Sequence, residues 1–492
     1  MKKIAYFFIV AISCMVMQSC NDFLDEKPKG FTIPEYCDDY SRLLNYIGLQ
    51  RVLATYPVYF TDDVKLGGKN DGDDDQFRFV SLDDSEKNMF TFQHGQVFIP
   101  GNSDNIWEGA YSNIFTYNAV ANNVMGAPDG TLIDKKHLRG EALVGRAFEY
   151  LNLVNVYAKH YDPATAATDY GVPLVLSEEV GSGASYVRNS VAEVYQQILD
   201  DLTEATGLLK DKVSNSFHPT QSIAYAFLSR VYLYMGNYDE ALKNANEALK
   251  LNKELLDYKL YTTVPGQWGR IVLESDLKTT MPAEAKNVEN IYTRIFGNSY
   301  LFRAVAASDD LIETFQKNLP EGATDQRLAL FFSKDKFYPS EGREDDYTGY
   351  YIYVPYIEIC CGFSTPEIYL NAAECEARVG SIDNALKHLN ALRDMRIKNN
   401  VHFENDGKMT RKEALELCLD ERRRELVYIG IFRLVDLKRM NADKEYGQFF
   451  AKDVIHSADG ETWTLPANDL RYIMPVPQNV LDYSPNMPQY DR

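Results

Sequence analysis

Aromatic side chains stand beside amide and charged groups in two polar stretches of this 492-residue chain. Flat rings can stack on the C–H face of a sugar, while planar amides and charged groups hydrogen-bond its hydroxyls. Each aromatic ring could instead anchor its own loop to the protein core, and this alternative stays open for every one of them. The pattern predicts a ligand-binding surface. Its candidate residues are Phe98, Asn102, Trp268, Tyr300, Phe302, Arg303, Tyr347 and Tyr350.

Three alternating carboxylates, Asp71, Asp73 and Asp75, have the spacing that opens an EF-hand calcium loop. The glycine that such a loop needs next is replaced by Gln76, and the twelfth position holds Leu82 instead of a glutamate. The sequence therefore favours a solvated acidic loop, with calcium binding as the alternative. No other metal and no cofactor is predicted.

The sequence carries no recognisable catalytic motif. Its 71 Asp and Glu residues supply carboxylate pairs by chance everywhere, and its seven histidines include no pair at i, i+4 spacing. A nucleophilic-serine elbow, an HExxH zinc helix and a phosphate-binding loop are also missing from the sequence. The sequence therefore predicts a protein that is not an enzyme.

The negative net charge of the chain restricts the kinds of molecule that it can bind. A formal net charge of −20 repels polyphosphates, so a nucleic-acid partner is disfavoured. An extracellular neutral ligand such as a glycan meets no such barrier. The seven cysteines are too scattered for a disulfide framework, and most of those beyond position 20 are predicted to be buried as small apolar residues.

The elements that must position the candidate residues are predicted to be pairs of helices. Residues 224–249 place large and small residues at helical spacing, with Gly236 as a helix stop, and match the 34-residue tetratricopeptide pattern. A second copy covers residues 367–396. Helical spacing at Trp107 predicts that this ring belongs to a core stripe. Weaker helical units are predicted at residues 138–161 with 194–209, and at 411–439.

Two long insertions interrupt these helical units, at about residues 55–105 and 255–355. Both are rich in Asp, Gly, Asn, Tyr and Phe. Insertions on a rigid helical scaffold are where binding residues concentrate. The sequence therefore predicts that the ligand is bound by these insertions, which contain all eight candidate residues.

The N-terminus is predicted to direct export and carry lipid. Two lysines precede a mostly apolar run that is too short to span a membrane and has the character of a signal peptide. The residues that end at Ser19 and Cys20 resemble the lipobox of bacterial lipoproteins, in which the cysteine sulfur is acylated. We therefore predict a signal peptide over 1–19 and a lipid-anchored tether over 20–30. An ordinary secreted protein cut near a chance cysteine is the alternative.

An ordered set of motifs resembles the SusD/RagB family of outer-membrane nutrient-binding lipoproteins, and it spans nearly the whole chain. No single motif is decisive, but their order is specific. The motifs include SCNDFLDEKPKG at the N-terminus, WEGAYSNIFTYNAV (107–120), GEALVGRAFEYLNLVNVYA (140–158), STPEIYLNAAECEARVG (364–380) and ERRRELVYIGIFRLVDLKR (421–439).

This resemblance implies an all-α, SusD-like single domain over residues 31–492. The domain would contain about four tetratricopeptide-like helix pairs, long irregular loops and a few short strands. The charged cluster that runs from Glu421 through three arginines to Glu425 would bond neighbouring helical units. No residue-level ligand motif carries over from the family.

The resemblance also implies a function without catalysis. The protein would bind an oligosaccharide at the cell surface, anchored in the outer membrane by its N-terminal lipid, and deliver the ligand to a SusC-like TonB-dependent transporter. Some members of the family bind peptides, so a peptide-binding member is one alternative. A tetratricopeptide protein–protein adaptor is another.

Overall fold

The computed structural model describes residues 34–52, 56–66, 68–69, 79–80, 82–101, 104–178, 186–264, 270–296, 305–336, 346–352 and 359–492. Its α-helices are α1 (Cys37–Leu44), α2 (Asp84–Phe90), α3 (Asn105–Asn123), α4 (Leu132–Tyr157), α5 (Val191–Thr206), α6 (Gln221–Tyr234), α7 (Tyr238–Leu251), α8 (Asp309–Gln316), α9 (Gln326–Phe331), α10 (Thr365–Arg378), α11 (Ile382–Arg393), α12 (Arg411–Glu425), α13 (Phe432–Ala442), α14 (Gly447–Phe450) and α15 (Gln478–Tyr483).

The strands are short and lie mostly in the predicted insertions. They are β1 (Val64–Leu66), β2 (Gly68–Lys69), β3 (Tyr261–Thr263), β4 (Ile271–Leu273), β5 (Asp276–Thr280), β6 (Asn290–Tyr292), β7 (Ile295–Phe296), β8 (Val305–Ala307), β9 (Thr324–Asp325), β10 (Phe332–Lys336), β11 (Asp346–Ile352), β12 (Ile359–Cys360), β13 (Phe363–Ser364), β14 (Ile397–Lys398), β15 (Val454–Ala458) and β16 (Glu461–Leu465).

Helices α3 to α7 and α10 to α12 form one stacked array. Helices α3 to α7 follow one another through the stack, α10 packs on α7, and α11 and α12 both pack on α10. The chain therefore leaves the array after α7, forms the second insertion, and rejoins the array at α10. The predicted all-α architecture is confirmed, as are the helix pairs at residues 224–249 and 367–396.

The turn between α6 and α7 shows why the tetratricopeptide pattern folds in this way. Gly236 has φ +72°, a left-handed conformation that ends α6 without a side-chain penalty. The Asn237 side chain then accepts a hydrogen bond from the Glu240 backbone N–H at 3.3 Å and starts α7. Ala241 and Ala245 are fully buried, so the two helix backbones can approach closely.

The core stripe predicted at Trp107 is confirmed, because this side chain is only 5% exposed. Its ring packs edge-on against Tyr157, with centroids 4.9 Å apart. Asp104 begins the helix by accepting backbone hydrogen bonds from Ile106 and Trp107 at 3.0 and 3.4 Å. This cap fixes the first insertion to the start of α3.

The charged cluster of α12 is buried and bonds neighbouring elements, as the sequence predicts. Arg422 Nε donates to Asp436 Oδ2 of α13 at 2.9 Å, and Arg424 Nη2 donates to Glu421 Oε2 at 2.8 Å. Glu425 Oε2 accepts from Arg327 of α9 at 2.8 Å. One helix thereby joins the array, the second insertion and the C-terminal helices.

The strands pair locally in small sheets. The β1 and β8 strands are antiparallel, and a second sheet has the order β10-β11-β2, so each sheet joins the first insertion to the second. The C-terminal hairpin pairs β15 with β16. These sheets are the framework on which the binding surface must be built.

The cysteines that the structure describes are free, at positions 37, 360, 361, 375 and 418, and all but Cys360 are buried. This agrees with their predicted role as small apolar residues. Within the described ranges, no helix combines the length and the apolar character needed to cross a membrane.

Candidate functional site

Much of the predicted binding surface falls outside the described residues. Among the eight ligand-binding candidates, Phe98 and Tyr350 are described with their side chains, while Tyr347 is described as a backbone position in β11. The predicted positions outside the described ranges are Asn102, Trp268, Tyr300, Phe302 and Arg303, together with lipid-carrying Cys20 and the acidic Asp71, Asp73 and Asp75.

Phe98 is half-buried and anchors its loop to the core. Its ring packs edge-on against Tyr56, with centroids 5.3 Å apart and an interplanar angle of 84°. Tyr56 in turn donates a 2.6 Å hydrogen bond to Asp104, the cap of α3. This packing is the loop-anchoring role that the sequence left open as an alternative for Phe98.

Tyr350 lies on a strand surface that both insertions build. It pairs with Lys334 of β10, whose Nζ lies 5.6 Å from the centre of the tyrosine ring. Three positions earlier, Tyr347 pairs with Lys69 of β2. The half-buried ring of Tyr350 therefore lies near one ammonium group, on a strand that joins the two insertions.

The two small sheets touch at Gly349, next to Tyr350. Gly349 has φ +106°, and a Cβ placed on it would lie 3.7 Å from the Ala306 Cβ and 3.9 Å from Lys65 Cε. Ala306 and Lys65 are themselves paired across β8 and β1. The strand that carries Tyr350 therefore runs beside β8. This strand begins at Val305, two positions after the ligand candidate Arg303.

A groove of about 470 Å³ opens beside this junction. Its walls are β1, the loop from β8 into α8, and the start of β15. The sequence analysis missed these residues because they come from three distant segments and carry no shared spacing. We call this cavity the strand groove, and its charged lining residues are Asp62, Lys65, Asp309, Asp310, Lys452 and Asp453.

The floor of the strand groove is a buried ionic network. Arg433 donates to both Asp62 oxygens at 2.7 Å, and Arg423 donates to Asp63 at 2.8 Å and to Asp310 at 2.7 Å. Burial opposes ionisation of Asp62, but the guanidinium groups of Arg433 and Arg423 outweigh it and hold the pKa of this carboxyl well below its usual range. The floor is therefore charged and already paired.

The rim of the strand groove is open to solvent. The Asp309 side chain is 83% exposed, and its one ion-pair partner within the described residues is Lys65 Nζ at 2.7 Å. Lys452 Nζ lies 2.8 Å from Asp310 on the opposite side. Carboxylates accept and ammonium groups donate, so this rim offers both kinds of hydrogen bond to a hydroxylated ligand.

His456 fixes the hairpin wall of the strand groove from behind. Its Nδ1 lies 2.8 Å from the Phe90 carbonyl oxygen, and its Nε2 lies 2.9 Å from that of Thr61. The imidazole also stacks on the Phe90 ring at a centroid distance of 4.3 Å. Burial lowers the pKa of His456, while the two carbonyl oxygens and Asp62 act in the opposite direction, and the ring joins three segments of the chain.

A second cleft, of about 740 Å³, lies between α1, the first half of α4 and the loop before α6. Two pairs of its ionisable groups are in contact: Lys210 Nζ lies 2.8 Å from Asp134, and His218 Nδ1 lies 2.8 Å from Glu141. This cleft is remote in sequence from both insertions. Within the described residues, no group of three or more His, Cys, Asp or Glu side chains could hold a metal ion.

Comparisons with protein families agree with the motif order found in the sequence. A family model described as "Starch-binding associating with outer membrane" matches residues 22–233. A second, described as "SusD family", matches residues 365–491. A tetratricopeptide repeat model matches residues 222–255, which contain α6 and α7.

Individual relatives show the same likeness. SusD-like protein P25 of Formosa agariphila is 22% identical to the chain, and the match covers 99% of the chain and 98% of P25. SusD-like protein P38 of the same organism is 25% identical over 287 residues, which are 56% of the chain and 50% of P38. The match with P38 thus spans about half of that relative's length.

The fold has solved counterparts. A SusD superfamily protein from Bacteroides thetaiotaomicron has a TM-score of 0.68 with this chain at 20% identity, and the match covers 93% of the chain and 100% of that protein. At this level of identity the comparison establishes the shared fold.

Proposed function

We propose that this chain, which belongs to the SusD/RagB family, binds an oligosaccharide at the cell surface without catalysing its breakdown. The observation that carries the proposal is the ordered match of two family models to the two ends of the chain. The first of these models is described by starch binding and by association with the outer membrane. The bound ligand passes to a SusC-like TonB-dependent transporter.

The ligand binds where the two insertions meet. Three features of the structure support this placement: the strand that carries Tyr350, its contact through Gly349 with β1 and β8, and the strand groove beside them. Hydroxyls can pair with the rim groups Asp309 and Lys65, while the Tyr350 ring supplies an apolar face. The candidates Tyr300, Phe302 and Arg303 precede β8 in sequence and lie outside the described residues; they remain predicted ligand contacts.

The protein is held at the outer membrane by lipid. Residues 1–19 are a signal peptide, the Cys20 sulfur carries the lipid, and residues 20–30 tether the domain that follows. The helical domain, residues 31–492, then faces the cell exterior, where it can meet polysaccharide fragments. The family description supports an outer-membrane association.

Affinity gel electrophoresis against a panel of polysaccharides tests the proposal. Retarded migration in at least one polysaccharide gel, with no release of reducing sugar, is the expected result. Failure with every glycan together with binding of peptides would overturn glycan capture in favour of a peptide-binding member of the family. Co-purification provides an independent test, because the proposal expects a barrel transporter as the main partner, whereas an adaptor would bring down soluble proteins.

A further inference from the structure

The charges of the strand groove favour one class of glycan. Four carboxylates line the groove, on residues Asp62, Asp309, Asp310 and Asp453, against two ammonium groups, on Lys65 and Lys452. With Asp63, Arg423 and Arg433 of the floor included, five carboxylates stand against four cations, so one negative charge is in excess. The net charge of the whole chain is also negative, at −20.

The cations near the groove are already neutralised. Lys65 lies 2.7 Å from Asp309, and Lys452 lies 2.8 Å from Asp310. The two arginines of the floor are buried, with Arg423 only 6% exposed and Arg433 only 11% exposed. Each of these four side chains has a carboxylate partner within 2.8 Å. The charge of each cation is therefore already balanced by a carboxylate of the protein.

We propose that the strand groove selects uncharged glycans over glycans that carry carboxylate or sulfate groups, and that Asp309 is the residue that sets this selectivity. The inference rests on the proposed function, since it assigns a ligand class to the same site. It goes further by predicting which members of a polysaccharide panel bind and which residue decides between them.

The position of Asp309 explains how it can discriminate. It is the first residue of α8, and the Ser308 hydroxyl, rather than the Asp309 carboxylate, accepts the capping hydrogen bond from Leu311. The Asp309 carboxylate is therefore free of a capping role, and its exposed pair with Lys65 contributes little to stability. A sugar diol can replace or share this pair by donating two hydrogen bonds to the carboxylate.

A sugar that carries a carboxylate group would be repelled by the groove. The sugar carboxylate could approach Lys65 or Lys452 only by displacing, or by lying beside, the protein carboxylates already paired with them. In either case Asp309, or Asp62 and Asp310, would face the ligand's negative charge at short range. Like charges brought together in this way lower affinity, and the effect weakens as salt screens it.

Matched pairs of probes separate charge from sugar identity. Each neutral polysaccharide that retards the wild-type protein is compared with its own carboxymethylated derivative, by affinity electrophoresis and by calorimetry with soluble fragments at low and high salt. Three proteins are compared: wild type, Asp309→Lys, and Asp239→Lys. The last is the matched control, because Asp239 is an exposed first-turn residue of α7 that does not line the groove.

The wild-type protein is expected to bind the neutral form about tenfold more tightly than the carboxymethylated form at low salt, and less selectively at high salt. Asp309→Lys should abolish or invert this ratio, while Asp239→Lys should leave it close to the wild-type value. Preference of the wild type for the charged form, or an unchanged ratio in Asp309→Lys, overturns the inference while leaving glycan capture intact. Binding of neither form of any glycan overturns the proposed function and this inference together.

Discussion

Arg423 Nε donates a 2.8 Å hydrogen bond to Asp63 Oδ1 across 360 positions of sequence. This bond joins α12 to the segment that leads into β1, and so holds a wall of the strand groove against the helical array. The same guanidinium group also reaches Asp310 at 2.7 Å, at the start of the opposite wall. The geometry of the groove therefore depends on one arginine of the α12 cluster.

Replacing this arginine is expected to destabilise the fold strongly. Arg423→Ala leaves Asp62 and Asp63 buried with less positive charge around them, and breaking such a pair costs about 3–5 kcal/mol. Chemical denaturation of the purified protein measures the change in the free energy of unfolding. Arg42→Ala is the control, because Arg42 and Asp38 form an ion pair with 75% and 68% exposed side chains, and its loss should cost less than about 1 kcal/mol. Equal effects of the two substitutions would contradict the account.

Glu149 gives the fold a predictable pH dependence. Burial raises the pKa of Glu149 to about 7 from an ordinary value of 4.5, although Asn113 donates a 2.9 Å hydrogen bond to its carboxyl group. Because the folded pKa is raised, the stabilisation by the bound proton is complete below pH 4.5 and is lost as the pH rises through 7. The loss for this one group is about 3 kcal/mol.

Glu149→Gln should remove this dependence, because glutamine imitates the protonated carboxyl group. The variant is expected to be more stable than wild type at pH 8 and equally stable at pH 4, as measured by urea unfolding across this range. The exposed Glu254→Gln is the control, with a stability curve that follows wild type. A constant difference between Glu149→Gln and wild type at every pH would show that the carboxyl group does not titrate as described.

Gly145 is required by close packing rather than by its backbone angle. A Cβ at this position of α4 would lie 2.2 Å from ring atoms of Tyr117 on α3. Alanine ordinarily stabilises a helix by about 1 kcal/mol relative to glycine, but here it must displace a fully buried ring, at a cost of about 1–3 kcal/mol. Gly145→Ala should therefore lower the melting temperature.

Gly126→Ala is the matched control for this prediction. A Cβ on Gly126 would meet nothing within 4 Å, so the substitution should be neutral or slightly stabilising. A melting temperature for Gly145→Ala at or above that of wild type would mean that α3 and α4 can separate more easily than the packing of Tyr117 indicates.

Cys20 is expected to decide where the protein resides in the cell. Cys20→Ala removes the sulfur that carries lipid, so the variant should move from the membrane fraction to the soluble or secreted fraction. Fractionation and labelling with a radioactive fatty acid measure the change. Ser19→Gly is the control, because it keeps a small residue before the cysteine and should leave labelling intact. Continued membrane association of Cys20→Ala would argue against a lipid anchor.

The helical half of the fold could be predicted from sequence because its signal is local. Alanines such as Ala241 and Ala245 recur at helical spacing, and Gly236 marks the turn, so each helix pair is encoded within some thirty residues. The arginines of α12 could also be predicted to be structural, because the family resemblance implies that this cluster bonds neighbouring helical units.

The strand groove could not be found in this way. Its walls combine Asp62 in a turn, Asp309 at a helix start and Lys452 in a loop, which are far apart in the chain and share no periodicity. Ser308 and Asp309 simply mark the start of a helix when read in sequence. Ring type alone also cannot distinguish a stacking residue from an anchor, and Phe98, a ligand candidate by its sequence, packs on Tyr56.

The most direct test of the central claim is a structure of the protein with the tightest-binding glycan from the polysaccharide panel. The account predicts sugar hydroxyls within about 3.2 Å of the Asp309 carboxylate, in the strand groove beside the strand that carries Tyr350. A glycan bound instead in the second cleft, beside Asp134 and Lys210, would contradict it.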